Sequence, residues 1–198
     1  MPKVLLLDLG RVVFGLDWKR PLKKLGLTET FAEKTLIRNI QTWPPYDRLE
    51  RGASGFSDFV TEVNALVGKR FTDAEFGEAW IEVLTGYEPG VEKVLQKLKG
   101  QIPLYALTNT SLIHYEHMMR TYEPLRYFEK VFTSFEIGHR KPEKEIFLSV
   151  IEALGVAPED IYFIDDTEIN VEGAKKLGLH ATHLKEGETL ENVLSHAL

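Results

Sequence analysis

The 198-residue chain contains no cysteine and only three methionines. Without cysteine there is no disulfide, no thiolate metal site and no cysteine nucleophile. Such a composition suits a reducing compartment, and the cytoplasm is the expected location. A membrane span is missing as well, because no run approaches the ~20 apolar residues that one requires. Met1-Pro2-Lys3 leads straight into a short apolar run with no cleavage-like region, unlike a signal peptide. Positive charge is in deficit: 24 Lys and Arg against 30 Asp and Glu give a net charge of -6. That balance speaks against a general nucleic-acid or anionic-membrane surface, so an anionic substrate would need a local positive site. Internal repeats and low-complexity tracts are absent. Asn109-Thr110-Ser111 fits a glycosylation sequon but reads as chance in a chain that is not secreted.

What remains is an ordinary globular composition, 43% hydrophobic and 27% charged, in a chain long enough to bury roughly 70% of its unfolded surface. A first strand is predicted over residues 3–8. From about residue 17 to 87 the pattern turns helical. Phe31, Leu36 and Ile37 have helical spacing, as do Phe56, Phe59, Val60, Val63 and Leu66. Thr72-Asp73-Ala74-Glu75 has the form of a capping box before Phe76 and Trp80. Alternation resumes after residue 88, with strands expected at 102–107, 131–133, 161–165 and 180–184 and helices between them. Pro142 fits the first turn of one of those helices. The series implies an α/β fold with a Rossmann-like parallel sheet and helices on both faces. An all-helical segment, residues 15–87, is then a cap inserted into a core made of residues 1–14 and 88–198.

Candidate chemistry collects at strand ends. Asp8 ends the run Val4-Leu5-Leu6-Leu7, and Asp165-Asp166 ends Ile161-Tyr162-Phe163-Ile164. Thr108 closes another strand, and Lys141 lies in the loop after a fourth. The carboxyl ends of parallel strands share one rim, so these distant residues can meet. Three carboxylates in one place repel unless a cation sits among them. One assembly uses them all: a carboxylate attacks phosphorus, Mg²⁺ on hard oxygen ligands neutralises the phosphate, and a Thr hydroxyl and a Lys ammonium take the remaining oxygens.

The chain resembles the haloacid dehalogenase superfamily. The resemblance rests on Asp8-Leu9-Gly10-Arg11-Val12-Val13, Leu107-Thr108-Asn109-Thr110, Arg140-Lys141-Pro142-Glu143 and Phe163-Ile164-Asp165-Asp166, in that order, with Asn170-Val171-Glu172-Gly173-Ala174 extending the last. It runs from residue 4 to about residue 184. An insertion after the first motif is similar to the type 1 cap. The resemblance implies that Asp8 is the nucleophile, that Thr108 and Lys141 bind phosphate, and that Asp8, the Gly10 carbonyl, Asp165 and Asp166 hold Mg²⁺. Asn109 is a candidate for orienting the phosphate or the first-motif loop, and Asn170 for tying down the metal loop. The implied activity is hydrolysis of a small phosphate monoester, sugar phosphates among them, through an aspartyl-phosphate. The implied partner is a small phosphorylated metabolite, with no nucleic acid and no membrane; no oligomeric state is implied. One departure stands out: phosphatases of the family usually carry a second Asp two residues after the first, as general acid and base, and here that position is Gly10. Asp17, Arg11 and His139 are candidates for the missing role. The alternatives are a 2-haloacid dehalogenase using Asp8 without metal, and a disabled phosphate-binding relative.

Other residues read more plainly. His114 and His117 are three apart on one helix but lack a third metal ligand. Arg140 reads as surface. The aromatics Phe56, Phe59, Phe76 and Trp80 read as cap core, whereas Trp43, Tyr46 and Arg48 lie where a cap loop could choose the substrate.

Overall fold

The computed structural model describes residues 2–27 and 40–195. The positions expected to be helical at Phe31, Leu36 and Ile37 lie outside them. In chain order the strands are β1 (Val4–Leu7), β2 (Phe14–Leu16), β3 (Leu84–Tyr87), β4 (Leu104–Thr108), β5 (Lys130–Thr133), β6 (Ile161–Asp165) and β7 (His180–His183). Five of them form one sheet in the order β5-β4-β1-β6-β7, with every pairing parallel.

β1 is central because nothing in it tolerates water. Leu5, Leu6 and Leu7 are each 0% exposed, and burial of each side chain contributes roughly 2 kcal/mol. Their alternation splits the core into two layers. Leu5 and Leu7 join the cluster built with Val91, Leu95 and Leu98 of helix Val91–Leu98 and with Leu190 and Leu194 of helix Leu190–Ser195. Leu6 joins Ile146, Phe147 and Val150 of helix Lys144–Leu154 and Ala174 of helix Glu168–Lys175 on the other side. The fold is therefore α/β and Rossmann-like, with helices on both faces. Pro142 does not enter the first turn of the Lys144–Leu154 helix; it precedes the helix N-cap, Glu143.

The chain runs from β1 out to β4 and β5 on one side, then returns to β6 on the other, so strand order reverses at β1. Ligands of open α/β sheets bind at such a switch point. Registration of Leu7 with both Ala106 and Ile164 sets Asp8, Thr108 and Asp165 along one edge.

The described residues between β2 and β3, within the segment expected as a cap, gather around a second core. Helices Pro44–Glu50, Phe56–Val67 and Asp73–Trp80 pack their aromatics together, with Phe76 stacked on Trp80 at 5.1 Å and Phe59 5.3 Å from Trp80. Thr72 starts the last of these helices as its sequence suggested: its hydroxyl accepts from the Glu75 amide at 3.2 Å and the Glu75 carboxylate accepts from the Thr72 amide at 2.9 Å. The inserted segment is not all helical, however. β2 and β3 pair antiparallel, Phe14 with Tyr87 and Leu16 with Leu84, and so tie together the two crossings into the cap. Strands of three and four residues carry too little alternation to be seen in the sequence. Among the described residues, no helix is long and apolar enough to cross a membrane.

Candidate active site

Asp8 follows β1 directly, and its amide donates to the Ile164 carbonyl at 2.9 Å, so the main chain holds it beside β6. Asp165 ends β6 and is 0% exposed. Its carboxylate accepts from the Thr167 amide at 2.8 Å and from Asn170 Nδ2 at 3.0 and 3.2 Å. Lys141 reaches in from the loop between the short helix Ser134–Ile137, which follows β5, and helix Lys144–Leu154. Its Nζ donates to Asp8 Oδ1 at 2.7 Å, to Asp165 Oδ2 at 2.7 Å and to the Leu107 carbonyl at 2.8 Å. An ammonium has three N–H donors, so Lys141 is fully engaged. Asn109 positions it: the Asn109 side chain accepts from the Lys141 amide at 2.9 Å and donates to the Lys141 carbonyl at 3.0 Å. Asn109 thus grips the Lys141 backbone from the cavity wall.

These residues surround a cavity of about 570 Å³. Asp8, Gly10, Thr108, Asn109, Lys141 and Asp166 all line it, whereas Asp165 is fully buried. Asp8, Asp165 and Asp166 each offer a carboxylate oxygen, all within 4.8 Å of one another. Three carboxylates meet one ammonium here, with the Arg11 guanidinium acting on Asp166 from the same wall. Burial pushes the Asp8 carboxyl up to about 7, against the pull of Lys141 and with the push of Asp165 and Asp166. Burial, reinforced by Asp165, raises Asp166 as well. For Lys141, burial works against the charged form but the two carboxylates outweigh it, and its pKa rises. Hard oxygen ligands carrying excess negative charge suit a hard divalent cation. The donor set therefore fits Mg²⁺, with Asp8, Asp165 and Asp166 offering carboxylates and Gly10 on the same wall.

A family model for haloacid dehalogenase-like hydrolases matches residues 22–178. The chain belongs to this family. It is an enzyme of the hydrolase class. The D-ribitol-5-phosphate phosphatase of Bacteroides thetaiotaomicron is 27% identical to it, over 94% of this chain and 94% of that protein. The phosphoglycolate phosphatase of Escherichia coli K12 is 25% identical over 84% of this chain and 62% of its own length. A drimenol cyclase of Aspergillus calidoustus matches 99% of this chain at 24% identity, and the chain spans about a third (36%) of that protein's length. Among solved structures, a haloacid dehalogenase family enzyme of B. thetaiotaomicron, crystallised with magnesium and inorganic phosphate, superposes with a TM-score of 0.85 at 30% identity, covering 98% of this chain and 99% of its own.

One expectation within this haloacid dehalogenase-like site is corrected by the structure. Arg140 is not a surface residue but is 8% exposed. Its guanidinium pairs with Glu50 at 2.7 Å and Asp47 at 2.8 Å, both on the cap helix Pro44–Glu50. Glu50 is itself 1% exposed. Beside this pair, Arg51 of the cap holds Asp47 at 2.8 Å and grips both oxygens of Glu143 in the core. Arg51 holds the Glu143 carboxyl down at about 2. Arg140 looks solvated in sequence because its partners Asp47 and Glu50 lie some ninety residues away. None of Trp43, Tyr46 and Arg48 lines the main cavity, though Tyr46 lines the smaller recess beside it with Gly10, Leu16 and Thr108. Tyr46 is 2% exposed within the cap core, Trp43 packs on Phe59, and Arg48 pairs with Glu62. The cap and its crossings contribute Leu16, Trp18, Ile40, Thr42 and Arg51 instead.

Of the residues considered for the role missing at Gly10, Arg11 alone lines the cavity. It has φ +57°, a rare left-handed non-glycine conformation of the kind found at functional loops. The Asp17 carboxylate accepts from the Lys19 amide at 2.9 Å, and His139 pairs with Glu143 at 3.2 Å. His114 is a packing residue: its Nε2 lies 3.1 Å from the Trp80 carbonyl, its ring stacks on Trp80, and burial lowers its pKa to about 4.

Proposed function

We propose that this enzyme hydrolyses a small phosphate monoester with Mg²⁺, through an aspartyl-phosphate on Asp8. The observation that carries the reading is the state of Asp8. One of its oxygens is held by Lys141, while Oδ2 lies on the side of Gly10, at the cavity wall. An oxygen so placed can attack phosphorus in line while the other is fixed. Lys141 sets positive charge beside the attacking group, and Thr108 places a hydroxyl on the same wall for a phosphoryl oxygen. Asn109 and Asn170 fix Lys141 and Asp165 respectively. Mg²⁺, held by Asp8, Asp165, Asp166 and the Gly10 carbonyl, would supply charge neutralisation for the phosphoryl group. Water then hydrolyses the aspartyl-phosphate and frees Asp8. Dehalogenation at the same Asp needs no cation, whereas three gathered carboxylates do. The segment 15–87 acts as the lid over the rim, and the phosphorylated partner is a small cytoplasmic metabolite.

The test is phosphate release from a panel of sugar and other small phosphate esters, with Mg²⁺ and with EDTA, by wild type and Asp8→Asn. The expected result is Mg²⁺-dependent release by wild type and none above background by the variant. Equal turnover by both proteins refutes the nucleophile assignment. Halide release from a 2-haloacid in EDTA would favour the dehalogenase instead.

A further inference from the structure

Among the described residues, the cationic side chains that line the main cavity are Arg11, Arg51, Arg140 and Lys141. Lys141 commits its ammonium to Asp8, Asp165 and the Leu107 carbonyl. Arg140 pairs with Asp47 and Glu50. Arg51 pairs with Asp47 and Glu143. Arg11 differs from all of them. Its side chain is exposed on the cavity wall, and its guanidinium has no hydrogen-bond or ion-pair partner among the described residues.

Neither packing nor backbone accounts for an arginine at this position. An exposed, unpaired side chain contributes nothing to the core. The φ of +57° is one that glycine adopts without steric penalty and that every residue with a Cβ adopts at a cost. The turn itself is held by the main chain, with the Arg11 amide donating to the Phe14 carbonyl at 2.6 Å. Glycine would serve that turn better, so the side chain is kept for what it offers the cavity. A guanidinium does not release its proton. It offers positive charge and a fork of N–H donors that matches one carboxylate.

The charge also falls in a particular place. Arg11 pulls on the Asp166 carboxyl, whereas Lys141 is the cation that pulls on Asp8. Arg11 therefore flanks the Asp166 side of the cavity, and Lys141 flanks the attacking carboxylate. The cavity, about 570 Å³, has room for more than a phosphoryl group. We propose that Arg11 is a specificity-determining residue that pairs with a carboxylate on the leaving portion of the substrate, so that the enzyme favours phosphorylated hydroxy acids and sugar acids over the matching neutral polyol phosphates. This rests on the phosphatase reading above. A single guanidinium balances a single negative charge, which suits a carboxylate better than a second phosphate dianion.

The test uses esters that differ only in one terminal group, a carboxylate against a hydroxymethyl: 3-phosphoglycerate against glycerol 3-phosphate, and 6-phosphogluconate against glucitol 6-phosphate. Phosphate release with Mg²⁺ gives kcat and KM for wild type, Arg11→Gly and Arg11→Lys, each checked for folding by thermal unfolding. Wild type should favour the acid of at least one pair by about 10–100-fold in kcat/KM, the worth of a hydrogen bond between charged groups. In Arg11→Gly that ratio should fall to about one, chiefly through a higher KM for the acid. Arg11→Lys should recover part of the ratio, because it keeps the charge and loses the fork. Glycine accepts the local φ, so the first variant removes the guanidinium without adding strain. A wild type that prefers neither acid, or a preference that persists in Arg11→Gly, overturns the inference and leaves the phosphatase reading standing. Equal losses on acid and polyol in Arg11→Gly would assign Arg11 to the phosphoryl group and overturn it as well. No turnover of any ester by wild type overturns both readings.

Discussion

Replacing Arg140 by Met removes the one guanidinium that joins the buried cap residue Glu50 to the Lys141 loop. At 2.7 Å the Arg140–Glu50 attraction is worth about 6 kcal/mol at an effective dielectric near 20, before desolvation is counted. Desolvation of both groups cancels much of that, so the intact pair adds little net stability. Loss of one partner is another matter, because Glu50, 1% exposed, would keep the burial cost without compensation. Breaking such a pair costs about 3–5 kcal/mol, which for a chain of this size lowers Tm by roughly 10 °C. Glu50 already has its pKa raised by burial, with Arg140 as the main opposing influence. In Arg140→Met it would rise further and stay protonated while the unfolded chain ionises. The unfolded state then binds fewer protons, so the destabilisation grows as pH climbs above the ordinary carboxylate range. Urea unfolding of wild type, Arg140→Met, Glu50→Met and the double variant at pH 5 and pH 8 measures this. The single Arg variant should be worse at pH 8, and the double variant should recover most of the loss, since two apolar side chains can replace a buried pair at little cost. A loss below about 1 kcal/mol for Arg140→Met, the range of exposed pairs, would show the seam to be solvated and the reasoning wrong.

Three further outcomes are expected. Asn170→Ala removes the side chain that donates twice to Asp165 and should weaken Mg²⁺ binding about 10–100-fold, read from the Mg²⁺ dependence of phosphate release. His114, lowered to about 4 by burial, takes up its proton in the unfolded chain first. Stability should therefore fall by about 2 kcal/mol between pH 7 and pH 5 on its account, and His114→Phe should flatten that part of the curve in urea titrations. Thr72→Ala deletes a helix cap far from the cavity; it should cost about 1 kcal/mol in chemical denaturation and leave phosphate release unaltered.

The core was legible because its signals are local. Leu5-Leu6-Leu7 and Phe163-Ile164 read as strands buried on both faces, and Thr72 with Glu75 announced a helix start. Parallel topology then carried Asp8, Thr108 and Asp165 to one edge without further information. The seam between cap and core was not legible. Arg140 belongs to a charged tripeptide, and its partners Asp47 and Glu50 belong to a helix whose own pattern does not reveal which core loop it meets. β2 and β3 were missed for a similar reason: each is too short to show a period, and each is a strand only because the other lies beside it. The cap's contribution to the cavity, through Leu16, Trp18 and Arg51, follows from that seam and stayed hidden with it.

The places where local rules fail are concentrated at one end of the sheet. Three carboxylates share a buried edge, Arg11 adopts a left-handed backbone, and Lys141 is 5% exposed. Each costs stability, and none is needed to complete the layers on either side of β1, which Leu, Ile, Val and Phe side chains fill alone. Strain without a packing return is the mark of a site kept for chemistry.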